Sequence, residues 1–153
     1  MPQQELEEYL KAFLKQNNMC VLATSKGDVP RATPIEYRSK DLTLYLVAEN
    51  GQKLKNIAYN PNVSIGIHLP YKGMETAKGV QISGKATVLS QGTVEFTEGL
   101  AVYNWEKTSK EMGLKSFPAS LCLIRVDPTK IELTDASLKK KGYSPRQTLK
   151  LDK

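Results

Sequence analysis

A single histidine, His68, and two cysteines, Cys20 and Cys122, narrow the chemistry this 153-residue chain can perform with its own side chains. A zinc site or a serine–histidine pair would have to be built around His68 alone, and neither cysteine stands at metal-ligand spacing from another ligand type. Each thiol lies inside an apolar run, Met19-Cys20-Val21-Leu22-Ala23 and Leu121-Cys122-Leu123-Ile124-Arg125. Both therefore read as buried structural thiols. His68 sits in the alternating segment 63–69 and reads as one face of a strand. Asp28, Glu36, Tyr37 and Tyr71 are titratable candidates for acid–base work, and none stands out as a general acid or base.

The formal net charge is +6, which suits an acidic ligand or a nucleic acid. Much of the surplus lies after Leu138, in Lys139, Lys140, Lys141, Arg146, Lys150 and Lys153 against Asp152 alone. Such a run reads as a solvated, mobile terminus, so the chain divides into a domain over residues 1–136 and a basic C-terminal tail over 137–153. Aromatic residues are not interleaved with basic ones in the body, and nucleic-acid binding is not expected. With 40% hydrophobic and 25% charged residues the chain has the balance of one globular domain. Its start is acidic and amphipathic rather than basic and apolar, and no apolar run reaches the roughly 18 residues of a membrane span. The expected location is the cytoplasm, with no membrane partner.

The elements that must position these residues follow from periodicity. Leu6, Leu10, Phe13 and Leu14 recur at helical spacing and predict a surface helix ending near Asn17-Asn18. Residues 19–24, 31–38 and 42–48 read as three strands joined by short turns, an antiparallel meander. Pro34 places the second of these at an edge, a bulge or an opening that faces a ligand. A helix is expected over 52–59, stopped by Asn60-Pro61. Strands follow over 63–69 and over 79–90, the latter bent at Gly84. A helical stretch over 92–112 carries Phe96, Leu100, Tyr103 and Lys107 on related faces, and strands over 119–126 and 130–134 complete the sheet. The expectation is a mainly β chain, a β-barrel with flanking helices.

In order and spacing, several pieces resemble the pyridoxamine-phosphate-oxidase-like, FMN-binding split-barrel family. They are Arg31-Ala32-Thr33-Pro34-Ile35-Glu36, Leu46-Val47, Gln52-Lys53, Asn60-Pro61-Asn62-Val63-Ser64 and Ile82-Ser83-Gly84-Lys85-Ala86. The resemblance runs over roughly residues 5 to 135 and implies an antiparallel Greek-key split barrel that binds FMN as a homodimer. It assigns the FMN phosphate to Arg31 and Lys53. Residues Ala32, Thr33, Pro34, Ile35, Glu36, Leu46 and Val47 become positions along the flavin, and Gln52 an additional donor. The physics agrees. A phosphate dianion needs guanidinium and ammonium donors from different elements, and a helix start favours an anion. A proline-interrupted edge strand can offer free backbone groups to the polar edge of a ring. Taken singly, Arg31 reads as a solvated strand-end residue and Lys53 as an exposed helix lysine. Only together do they make a site.

The chain also departs from the family in three places. Glu36 stands where the vitamin B6 oxidases carry a lysine for the substrate phosphate, and an anion there opposes another anion. Gly79 stands at the flavin-contacting glutamine, with Gln81 nearby. The Arg-x-His substrate motif is absent from the segment after Val126. The resemblance thus implies an FMN-dependent oxidoreductase acting on a small molecule other than the B6 phosphates. The alternatives are a flavin carrier without turnover, or a deazaflavin-dependent reductase of the same fold. A haem relative would have to use His68. Tyr103 and Trp105 read first as packing of the second long helix, and otherwise as aromatic cover for a flavin.

Overall fold

The computed structural model describes residues 1–151. Its elements are α1 (Gln3–Gln16), β1 (Met19–Lys26), β2 (Val29–Glu36), β3 (Arg38–Lys40), β4 (Thr43–Glu49), α2 (Gln52–Tyr59), β5 (Asn62–His68), β6 (Lys78–Leu89), α3 (Val94–Tyr103), α4 (Trp105–Glu111), β7 (Leu121–Asp135) and β8 (Arg146–Lys150). Short 3-10 turns occupy Met74–Thr76 and Ala136–Lys141. No helix among the described residues is long and apolar enough to cross a membrane.

The eight strands form one antiparallel sheet in the order β2-β1-β5-β6-β7-β4-β3, with β8 added to β7. β2 and β3 stand at opposite ends of that order, yet only Tyr37 separates them in the chain. The sheet must therefore curl until its ends meet. Tyr37 is the junction: fully buried, it accepts no solvent, its Oη donates to the Leu14 carbonyl at 2.8 Å, and its N–H donates to the Asn18 carbonyl at 2.8 Å. The result is a curled half-barrel with flanking helices, the split-barrel form expected from the sequence.

Strand alternation builds the interior. Leu22, Leu44, Leu46, Ile65, Ile82, Ile124 and Ile131 point inward with no exposed surface. The buried stripe of α1, Leu6, Leu10, Phe13 and Leu14, packs into the same core. Each such side chain contributes at most about 1.5–3 kcal/mol of burial. On the other face of β4 and β7, Tyr45 and Leu123 make a smaller cluster with Leu89 and with Phe96 of α3.

Three elements differ from the sequence expectation. β7 is one strand, not two: Gly84 opposes Pro128 and Ser83 opposes Lys130, so Thr129 is an extra residue in a bulge. Its hydroxyl donates to the Ser83 carbonyl at 3.1 Å, and Pro128 needs no ladder donor there. A Cβ on Gly84 would lie 2.7 Å from the Asp127 carbonyl oxygen, so the bend expected at Gly84 is a close backbone approach. The helix expected over 92–112 is broken at Asn104, whose φ of 57° is left-handed. The break turns Trp105 onto Phe117, with ring centroids 4.9 Å apart. Finally, the basic segment after Leu138 folds back: β8 pairs with β7, and Leu138 and Leu149 are buried.

Candidate functional site

The barrel is incomplete along one seam. β1 covers one edge of β2 throughout residues 29–36, while β3 reaches β4 only over residues 43–45. The second edge of β2 and the residues 46–49 edge of β4 thus have no strand partner among the described residues. Backbone N–H and C=O groups on two such edges face the seam and are free to bond a ligand.

Register sorts the β2 side chains. Arg31, Thr33 and Ile35 lie opposite Thr24, Leu22 and Cys20 and share their inward face. Ala32, Pro34 and Glu36 lie opposite Ala23, Val21 and Met19 on the outward face. The inward row leads to α2. Asn56, 2% exposed, donates to the Thr24 hydroxyl at 3.0 Å and accepts from Gln52 Nε2 at 2.9 Å. Thr24 is the register partner of Arg31, so this chain of hydrogen bonds ties the α2 start to β1 at the position beside Arg31 on β2. Gln52 and Lys53 are therefore brought to the same side of the sheet as Arg31.

The α2 start has the features of an anion seat. Its N-cap is Gly51, without a capping side chain. The first carbonyl, of Gly51, is used by the Leu54 and Lys55 N–H groups, which leaves the N–H groups of Gln52 and Lys53 outside the helix ladder. Neither Arg31 nor Lys53 has an acidic partner among the described residues. Lys53 also lies near the half-buried Cys122 thiol, whose pKa is pushed up by burial and partly drawn back by that ammonium. Two uncommitted cations, an amide and free helix N–H groups form a donor set that matches a phosphate dianion.

The far end of β2 is differently built. Tyr103 Oη donates to Glu36 Oε1 at 2.7 Å, Arg38 Nη1 lies 3.1 Å from Glu36 Oε2, and the Arg38 guanidinium sits 5.3 Å from the Tyr103 ring centroid. Burial, then the Glu36 carboxylate, raises the Tyr103 phenol well above its ordinary value. Glu36 is thus committed to α3 and to Arg38. From Arg31 to Glu36 the strand runs about 17 Å, enough for a nucleotide-sized ligand to lie along it.

The remaining candidates are placed as follows. Leu46 is fully buried in the core, so its contribution to the seam is its backbone, whereas Val47 turns to the smaller cluster under α3. Cys20 is buried with its thiol pushed up to about 12 by desolvation, and both cysteines are free. Asp28 is exposed at the turn after β1, Tyr37 is the buried junction, and Tyr71 is exposed on a loop. His68 is exposed on the outward face, with Nδ1 donating to the Leu69 carbonyl at 2.9 Å. Trp105 packs under α3 and α4, the packing alternative of the sequence reading. No group of three or more His, Cys, Asp or Glu among the described residues could hold a metal ion. Sequence reading missed Thr24, Asn56 and Arg38. For Asn56 the one available signal was its i, i+4 spacing from Gln52 on the predicted helix, Gln-x-x-x-Asn.

A curled antiparallel sheet split along one seam, with flanking helices, defines the class: a split β-barrel. The chain belongs to the pyridoxamine 5'-phosphate oxidase family, whose model matches residues 6–135. Curated proteins provide no match. Among solved structures it is similar to a candidate pyridoxamine 5'-phosphate oxidase from Listeria innocua, with 25% identity over 84% of this chain and 97% of that one and a TM-score of 0.68. A FAD-binding protein from Mesorhizobium loti shares 20% identity over 81% of this chain and 90% of that one, with a TM-score of 0.63. A haem-binding protein from Mycobacterium smegmatis shares 16% identity over 98% of this chain and 59% of that one, with a TM-score of 0.72. The last two establish shared fold.

Proposed function

We propose that this chain binds FMN in the seam and serves as a flavin-dependent oxidoreductase acting on a small molecule, as a homodimer. The observation that carries the reading is the pair of uncommitted cations, Arg31 and Lys53, on one side of the sheet beside the bare start of α2. In this reading Arg31, Lys53 and Gln52 hold the phosphate. Thr33, Ile35 and the backbone from Ala32 to Glu36, with the free edge at Leu46 and Val47, line the ring. When bound, the flavin supplies hydride chemistry, and the protein supplies position and field.

Glu36 argues against a phosphorylated substrate at the far end. Its carboxylate, held by Tyr103 and Arg38, occupies the position where the B6 oxidases use a lysine, so a neutral acceptor is the better fit. FAD- and haem-binding relatives share the fold, and haem is the second reading. Flavin is favoured because the seam holds phosphate donors, whereas His68 points from the opposite face of the sheet.

The test is titration of FMN into the purified protein, read by flavin fluorescence and absorption. One FMN per chain is expected, and Arg31→Ala and Lys53→Ala should each weaken binding about tenfold or more, since a charged contact is worth about 1.5–3 kcal/mol. Normal FMN binding by both variants would overturn the site. A Soret band with added hemin and no flavin binding would favour the second reading. Reduction by NADH or NADPH followed by reoxidation with small acceptors separates an enzyme from a carrier, and sedimentation tests the dimer.

A further inference from the structure

The face of the β1–β2 hairpin that carries Arg31 continues past it to the hairpin tip. Arg31 stands opposite Thr24 and Val29 opposite Lys26, so these four side chains share one face. α2 lies along that face. Its Gln52, Asn56 and Tyr59 follow at i, i+4 and i+7, one stripe of the helix. Asn56 donates to the Thr24 hydroxyl at 3.0 Å, Asn60 donates to the Ser25 hydroxyl at 3.1 Å, and the Lys26 ammonium lies 5.8 Å from the centroid of the Tyr59 ring. Helix stripe and hairpin therefore run side by side toward the tip.

At the tip the two rows expose apolar surface. Tyr59 is 64% exposed and Val29 66%, on two different elements, with Lys26 placed between them by its register and its ring contact. Lys26 has no acidic partner among the described residues. Single exposed apolar side chains are ordinary, but an open aromatic ring, an aliphatic side chain and a free ammonium brought together suit a flat, electron-rich ring. The spacing to the phosphate donors is consistent along both rows. Val29 lies two residues from Arg31, about 7 Å along the strand. Tyr59 lies six residues from Lys53, about 9 Å along the helix. A phosphate held by Arg31 and Lys53 therefore has this patch within the reach of a pyrophosphate and a ribose.

We infer that this patch seats the adenine end of a flavin dinucleotide, whose flavin and first phosphate lie in the seam and whose adenylate extends beside α2. The base stacks on Tyr59 against Val29, and the Lys26 ammonium meets the second phosphate. The inference rests on the flavin reading of the seam and names the form of cofactor that the same site prefers. FMN ends at its phosphate and leaves the patch in water. FAD covers it, and base–aromatic stacking adds affinity without disturbing the contacts at Arg31 and Lys53.

The test is calorimetric titration of the full chain with FMN and, separately, with FAD. FAD should bind about tenfold more tightly than FMN. Tyr59→Ala should remove that preference while FMN affinity stays within about twofold, and Tyr59→Phe, which keeps the ring, should retain it. Lys26→Gln, on a different element, should lower the preference severalfold. Circular dichroism reports whether each variant folds, and either variant alone decides the matter. Equal affinity of the unaltered protein for the two flavins would overturn the inference, as would a preference for FAD that survives Tyr59→Ala. So would an equal loss of FMN and FAD in Tyr59→Ala, because the ring would then only hold α2 in place. The fate of the seam is separable. FMN binding that depends on Arg31 and Lys53, without a preference for FAD, removes the adenine seat alone, whereas binding of neither flavin removes both.

Discussion

Tyr103 and Glu36, 67 positions apart in sequence, are joined by a 2.7 Å hydrogen bond that locks α3 over the end of β2. The same carboxylate takes Arg38 on its other oxygen at 3.1 Å, and Arg38 lies against the Tyr103 ring. The position that distinguishes this chain from the B6 oxidases is therefore a structural clasp. Its geometry commits both carboxylate oxygens at the end of β2, one to the Tyr103 phenol and the other to Arg38.

Tyr103→Phe should separate the clasp from the cofactor site. The ring and its contact with Arg38 remain, but Glu36 loses its phenolic donor. Glu36 is partly exposed, so the expected loss is about 1 kcal/mol in urea unfolding rather than the full value of a buried charged bond. FMN affinity should stay within about twofold of the unaltered protein. A tenfold loss of FMN binding without loss of stability would mean that Tyr103 touches the cofactor.

Alkaline pH should unfold the protein through its buried phenols. Burial is the largest cause raising Tyr37, Tyr9 and Tyr103, with the carboxylates of Asp135 and Glu36 adding to the last two. A raised folded pKa means that the native state keeps a proton that the unfolded chain releases above about pH 10. The stability held by these groups is complete below that pH and falls as pH rises through their folded values. Urea midpoints measured from pH 8 to 11 should fall, and Tyr37→Phe, which loses the bond to the Leu14 carbonyl, should flatten the slope.

The acid side is governed by Asp135, 2% exposed, which ties α1, β6 and the turn before β8 together. Burial alone would raise its carboxyl. The hydrogen bonds from Tyr9 and Ser137, with Lys78 nearby, outweigh that and hold it below the ordinary carboxylate value. A depressed folded pKa contributes stability above the unfolded value of about 3.9, and that stability is lost as pH falls through the folded pKa. Asp135→Asn should lower stability at pH 7 and make the remaining profile between pH 5 and 2 shallower. Amide exchange in β8 should accelerate in the same variant, because the turn that feeds β8 rests on Asp135.

The legible parts of this molecule were those with local signals. α2 spans residues 52–59 as its periodicity and the Asn60-Pro61 stop require, and Gly84 marked the bend in β6. Pro128 was misleading because proline ordinarily ends a central strand. Here the bulge at Thr129 absorbs the missing donor, and that depends on Gly84 more than forty residues away. The tail hid its order behind lysines. Its alternation, with Leu149 inward between Thr148 and Lys150, is short, and only the free edge of β7 gives it a partner. For the candidate site, Arg31 and Lys53 were readable through family resemblance. The link between their elements was not, since Thr24 and Asn56 look like ordinary polar residues until the strand register places them together.

That link yields the sharpest test of how the seam is organised. Thr24 and Asn56 are buried at 3% and 2% exposure, and Asn56 also receives the Gln52 amide at 2.9 Å. Asn56→Leu leaves the Thr24 hydroxyl without its donor and frees Gln52, so the expected cost is about 1–3 kcal/mol of stability. Adding Thr24→Val removes the stranded hydroxyl and should recover part of that stability, because replacing both partners by apolar groups is less harmful than orphaning one. FMN affinity should behave otherwise. It should fall severalfold in Asn56→Leu and stay low in the double variant, since Gln52 and the start of α2 remain untethered from β1, the strand paired with the one bearing Arg31. Affinity that recovers along with stability would show that the pair matters only for folding, and that the seam needs no such brace.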